Sequence, residues 1–176
     1  MSNHQQNQSE RWIETRPAMS IQGIGVRTTN KEEAGPQGKI PRLWDSYFQS
    51  GMQAQISNND QSIYALYTEY ESDASGAYTV IIGSSIDEGA AAAADTNSGI
   101  QRQAFVPESR YLVFRTRRGP VMEVVPQVWR EIWSYFEHAA ERRTYTGDYE
   151  RYDVHAFDPA NTVVDVYIAI ESQNQD

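Results

Sequence analysis

Residues 125–136 read Val125-Pro-Gln-Val128-Trp129-Arg-Glu-Ile132-Trp133-Ser-Tyr135-Phe136, and residues 40–48 read Ile40-Pro-Arg-Leu43-Trp44-Asp-Ser-Tyr47-Phe48. One stretch is a degenerate copy of the other. In both, apolar residues recur at the i, i+3, i+4, i+7 spacing of an amphipathic helix, with a proline near its start. A tyrosine-rich strand follows each: Tyr67-Thr68-Glu69-Tyr70 in the first copy, Tyr149-Glu150-Arg151-Tyr152 in the second. Aligning these strands sets Thr68 against Glu150, so only the second copy carries an acid on its apolar strand face. A duplicated fold with one unmatched carboxylate points to a binding site rather than a packing requirement.

Working outward from the helices, a strand signal runs from Trp12 to Thr29, broken by Pro17, Gly23 and Gly25. Glycine inside a strand marks a bulge or a close backbone approach. Residues 30–39 form a Gly/Pro loop, and Gly51 closes the first helix. A turn at Asn58–Gln61 leads to strands at about 63–71 and 77–84, joined by the turn-forming run Ser72-Asp73-Ala74-Ser75-Gly76. The second copy opens with a strand through Tyr111, Leu112, Val113 and Phe114 that ends at Gly119-Pro120. Its helix covers about 121–139. After a turn near Thr146-Gly147 come strands at about 148–157 and 163–171.

The order β-α-β-β, twice, predicts an α+β fold of pseudo-twofold duplicated units, with two helices packed on an antiparallel sheet. Residues 1–10 read as a flexible tail and 11–171 as one domain. Within it lie repeat 1 at about 11–86, a linker at about 87–103 containing Ala90–Ala94, and repeat 2 at about 104–171. Residues 172–176 are a second tail.

Composition narrows the function classes. With 176 residues, 39% hydrophobic and 11% aromatic, the chain can bury one substantial core. Eleven tyrosines and four tryptophans supply aromatic walls with polar handles. The net charge of −9 argues against binding a phosphate backbone, and the short cluster Arg115, Arg117, Arg118 reads as a solvated strand end. The absence of cysteine removes disulfides, thiol nucleophiles and thiolate metal sites, which suits a cytoplasmic protein. The polar first ten residues do not resemble a signal peptide, and no apolar run approaches a membrane span.

Period two sorts the strand at 149–157 into two faces. Tyr149, Arg151, Asp153, His155 and Phe157 form a largely polar one; Glu150, Tyr152, Val154 and Ala156 form the other. In the first copy the corresponding face is Tyr64, Leu66, Thr68 and Tyr70. Packed toward the helices, Glu150 would lie among aromatics with no internal basic partner. A buried carboxylate escapes that cost by raising its pKa or by finding a cation, and aromatic faces also attract positive charge. The alternative reading puts Glu150 near an exposed strand end, facing water, Arg110 or Arg151. Trp44, Tyr47, Trp129 and Trp133 are core residues in one reading and cavity lining in another. No histidine (His4, His138, His155) has a partner at metal-ligand or triad spacing, so no metal, cofactor or catalytic constellation is expected. Gly23-Ile24-Gly25 lacks the rest of a dinucleotide fingerprint.

The two β-α-β-β copies, Ile40-Pro-x-Leu-Trp44 and Val125-Pro-x-Val-Trp129, together resemble the GyrI-like effector-binding domain. So do Val106-Pro-x-x-x-Tyr111-x-Val-Phe114, Gly119-Pro120, Tyr149-Glu150-Arg151-Tyr152-Asp153 and Asp165-Val-Tyr167-Ile-Ala-Ile170. This is the drug-binding module of AraC- and MerR-type multidrug regulators, which also occurs alone, including on integron cassettes. The resemblance covers about residues 11–171. It implies a ligand cleft between the units, with Glu150 neutralising cationic ligands and Trp133, Tyr167, Trp44, Tyr47 and Trp129 as aromatic contacts.

No residues remain for the regulators' helix-turn-helix, so no direct operator or nucleic-acid binding is expected, and no membrane association. The leading expectation is a stand-alone small-molecule binder selective for amphipathic or aromatic cations. Two alternatives stay open: hydrolysis of strained electrophiles with Glu150 as general base, and a gyrase-inhibitor type of protein interaction. Free strand edges leave room for a homodimer or a regulatory protein partner.

Overall fold

A computed structural model describes residues 8–55, 60–86 and 101–173. The strands are β1 (Glu10–Arg16), β2 (Met19–Thr29), β3 (Ser62–Thr68), β4 (Ala77–Ile86), β5 (Gln101–Val106), β6 (Ser109–Arg115), β7 (Asp148–Asp153) and β8 (Asp165–Ile170). The helices are α1 (Asn30–Glu33), α2 (Ile40–Ser50) and α3 (Val121–Phe136), with a 3-10 turn at Met52–Gln55. All eight strands form one antiparallel sheet in the order β1-β6-β8-β7-β3-β4-β2-β5. The α+β class and the duplication hold. Exchanging β1 with β5, β2 with β6, β3 with β7 and β4 with β8 reverses that order onto itself, the mark of a twofold relation.

Each copy has one strand more than the sequence pattern indicated. The single strand expected from Trp12 to Thr29 is two, parted at Pro17–Ala18, and residues 101–103 of the expected linker begin β5 rather than joining the copies. The alanine run lies outside the described residues, as does part of the turn expected at 58–61. Residues 30–39, expected as loop, contain the single helical turn α1, capped by the Thr29 hydroxyl accepting from the Glu32 amide. The β7 and β8 strands are shorter than the expected 148–157 and 163–171.

The proline-containing breaks set the shape of the sheet. Arg16↔Ser109 and Met19↔Val106 lie on one unbroken register line, so β1–β2 and β5–β6 form a continuous ribbon. It is interrupted where Pro17–Ala18 faces Pro107–Glu108, since proline cannot donate to the ladder. Yet β1 and β2 sit at opposite ends of the strand order, only two residues apart in the chain. Two residues span less than ~11 Å, so the sheet must curl until its ends meet through the ribbon.

The strand irregularity expected at Gly23 is one half of a facing pair, Gly23↔Gly83. A Cβ on Gly23 would lie 1.9 Å from the Ile82 carbonyl oxygen, and one on Gly83 2.0 Å from that of Gln22. Only two glycines permit that approach.

Each face of the curled sheet carries its own core. The α2 residues Leu43 and Tyr47 and the α3 residues Val128, Trp129 and Ile132 cover the first, over Ile24, Ile82, Phe114 and Val166. The second holds Tyr64, Leu66, Ile81, Tyr111, Val113, Tyr149 and Tyr167, with Trp12 and Met19 packed against it. Gly51 ends α2 in the left-handed conformation, φ 73°, as its sequence position indicated. The principal contacts of α2 are with β2 and β4, and those of α3 with β6. The central pair β3–β7 therefore runs beneath the gap between the helices.

Candidate functional site

Hydrogen-bonded neighbours make a lateral row across the helix-facing side: Ile24–Ile82–Ala65–Glu150–Val166–Phe114. Every member is almost inaccessible, and Glu150 is 2% exposed. One carboxylate thus interrupts a row of apolar side chains at the middle of the sheet. Superposing Pro17 on Pro107 and following the ladders inward places Ala65 on Glu150. They are also direct partners in the β3–β7 ladder, so the twofold axis passes between them. The residue matched to Glu150 is therefore Ala65, not Thr68. Ile63, Ala65 and Tyr67 form the face that joins Glu150, while Tyr64 and Leu66 point to the opposite core. Alanine at this position adds no bulk beside the acid.

Three neutral donors hold the carboxylate. The Tyr67 hydroxyl donates to Oε2 at 2.6 Å, the Trp129 indole N–H to the same oxygen at 2.8 Å, and the Tyr152 hydroxyl to Oε1 at 2.5 Å. Glu150 takes part in none of the ion pairs among the described residues. Placement at an exposed strand end beside Arg110 or Arg151 is ruled out. Arg151 lies on the other face, donating to Ser62 Oγ at 2.9 Å and Asp60 Oδ1 at 3.2 Å. Burial raises the Glu150 pKa above the usual carboxylate value, and the three donors oppose that rise without cancelling it. Burial, together with the adjacent carboxylate, pushes the Tyr67 and Tyr152 hydroxyls well up, so both remain protonated donors.

The sequence-derived aromatics divide between the two faces. Trp129 contacts the carboxylate directly. Trp44 meets Tyr152 edge-on with centroids 5.0 Å apart, and Trp129 meets Tyr67 at the same separation. Each tryptophan thus reaches from its own copy's helix to the other copy's strand. Trp133 lies one turn outward from Trp129, 6.2 Å between centroids and 40% exposed. Tyr47 is buried against Trp44 at 6.1 Å.

Tyr167 does not join this group. It pairs with Tyr149 in the β7–β8 ladder and stacks on it at 4.6 Å, in the core on the far side of the sheet. Sequence reasoning left out Tyr67, Tyr152, Phe48 and Phe157, although Tyr152 stands two residues from Glu150 on the same face. Phe157 stacks on Phe48 at 5.8 Å and on Trp44 at 6.5 Å. The assembly is a buried acid that accepts from three neutral donors beneath aromatic rings.

The sequence profile described as Cass2, integron-associated effector binding protein, matches residues 12–170. The Bacillus subtilis (strain 168) protein YobU is 36% identical over 151 residues, covering 85% of this chain and 90% of that protein. Among solved structures, an integron cassette protein from the mobile metagenome of Vibrio cholerae has a TM-score of 0.71 at 30% identity, over 92% of this chain and 95% of the other. The structure of SAV2435 bound to tetraphenylphosphonium also has a TM-score of 0.71, at 21% identity, over 92% and 94% of the two chains; at that identity the likeness is one of fold. The chain belongs to the Cass2 family of integron-associated effector binding proteins. That membership supports small-molecule binding and agrees with the GyrI-like resemblance of its motifs. No helix among the described residues is long and apolar enough to cross a membrane.

Proposed function

With membership of that family as the premise, we propose that the chain binds amphipathic or aromatic cations between its two copies, with Glu150 as the counter-ion. One observation carries the reading: the row Ile24–Ile82–Ala65–Glu150–Val166–Phe114 holds an ionisable group, met only by neutral donors, under aromatic rings. For structure alone an apolar side chain would serve better, because burying a carboxylate without an opposite charge costs several kcal/mol. A cation brought to it offsets that cost, and the surrounding rings add cation–π attraction. The net charge of −9 favours cationic ligands at a distance. Tetraphenylphosphonium, bound by a protein of the same fold, is a lipophilic cation of the kind proposed.

The test is calorimetric titration of wild type and Glu150→Gln with tetraphenylphosphonium and neutral tetraphenylmethane-type analogues made soluble by short glycol chains. Opposite charges ~4 Å apart at an effective dielectric of ~20 attract by ~4 kcal/mol, and desolvation removes about half. The variant should therefore lose ~30-fold in affinity for the cation and little for the neutral analogue. Equal losses for both would remove Glu150 as counter-ion.

A further inference from the structure

We infer that the effector is a cation with two aromatic arms, one for each copy, rather than a cation carrying its rings on one side. The inference rests on the cation-binding reading above and goes further by naming the shape of the ligand. Its basis is the position of the acid directly beside the pseudo-twofold axis. The relation that exchanges Ala65 with Glu150 also matches Tyr67 with Tyr152, Trp44 with Trp129, and Phe48 with Trp133, all at one sequence offset.

These matched residues form two aromatic walls. On α2, Trp44 and Phe48 stand one turn apart with centroids 5.8 Å apart; on α3, Trp129 and Trp133 do so at 6.2 Å. The outer members are comparably exposed, Phe48 at 36% and Trp133 at 40%. The inner members each meet the other copy's tyrosine at 5.0 Å, and those two tyrosines take one carboxylate oxygen each. Each wall therefore leads from the surface to one side of the same acid.

A positive centre seated against Glu150 stands between the walls. Two rings attached on opposite sides of that centre can each meet a wall; two rings in line on one side can use only one. An aromatic pair contributes about 0.5–1.5 kcal/mol beyond area burial, so the second wall gives up to ~tenfold in affinity.

Two isomeric cations separate the cases. Dibenzyldimethylammonium and (biphenyl-4-ylmethyl)trimethylammonium share one formula and charge, with the rings on two arms or on one. Titration into wild type, Phe48→Ala and Trp133→Ala should show the dibenzyl isomer binding ~tenfold tighter. Each variant should weaken that isomer several-fold, while the biphenyl isomer responds to one variant at most. Equal or tighter binding of the biphenyl isomer would overturn the inference, as would a dibenzyl isomer indifferent to either truncation or failure of both isomers to bind. The neutral analogue 2,2-dimethyl-1,3-diphenylpropane isolates the underlying reading. If it binds as well as the dibenzyl cation, the counter-ion role fails. If both cations surpass it but bind alike, only the two-armed shape fails.

Discussion

Removing a single oxygen from Tyr152 probes whether the buried acid is held as a carboxylate. Tyr152→Phe keeps the ring contacts with Trp44 at 5.0 Å and Phe157 at 5.5 Å and deletes only the hydroxyl that donates to Glu150 Oε1. A hydrogen bond to a charged group contributes about 1.5–3 kcal/mol, against about 0.5–1.5 for a neutral pair. With Tyr152 2% exposed, water cannot replace the lost donor, so the substitution should cost ~2 kcal/mol. In a Glu150→Gln background, one amide oxygen can still accept from Tyr67 and Trp129. The amide NH₂ then faces the Tyr152 oxygen as a donor. There the same deletion should cost ~0.5–1 kcal/mol, leaving a coupling of ~1–1.5 kcal/mol between residues 150 and 152. Urea denaturation at neutral pH of the four proteins in this cycle measures it. For a chain of this length, each kcal/mol shifts Tm by about 2–4 °C, so thermal melts should show the same asymmetry. An equal cost in both backgrounds would refute the reasoning, because the hydroxyl would then make no charge-assisted bond and the acid would be folded in as its neutral form.

The raised pKa of Glu150 gives a signed dependence on pH. Below the ordinary glutamate value of ~4.3 the group is protonated in both states and imposes no penalty. As pH rises beyond it, the unfolded chain releases its proton first, so wild type should lose stability relative to Glu150→Gln until the folded carboxyl ionises and the difference levels off. Melts of the two proteins across that range check the sign, and a difference that grows in favour of wild type as pH rises would contradict it. On the same sheet face, Asp148 is 0% exposed and accepts from Arg143 at 2.7 Å, Tyr70 at 2.6 Å and the Ala169 amide at 2.8 Å. Arg143→Met strips the cation from that buried pair and should cost about 3–5 kcal/mol, read as a fall in urea midpoint; a cost below ~1 kcal/mol would show the pair to be solvated.

Periodicity and punctuation in the sequence determined the duplication, the two longer helices α2 and α3, and the membership of Glu150 in a buried face. The apolar stripes through Leu43-Trp44 and Val128-Trp129 are local signals, lying within a few turns of chain. Pro41 and Gly51 bound α2 in the same local way, whereas Pro126 of the Val125-Pro-x-Val-Trp129 stretch lies inside α3, which begins at Val121. The face of β3 was another matter. Ser62–Thr68 is buried at every position, so no polar alternation marks which residues look toward the helices. Tyr64, Leu66 and Thr68 are as apolar a set as Ile63, Ala65 and Tyr67. Their assignment came from the β3–β7 ladder, which pairs Ala65 with Glu150 across 85 residues of sequence. The same long-range register fixed the rest: Tyr167 on the far face, Tyr67 as a donor from the other copy, and two breaks at Pro17 and Pro107 joined in one ribbon. Hydrogen-bond register between distant strands is set by the packing of the whole sheet, and no short window of sequence contains it.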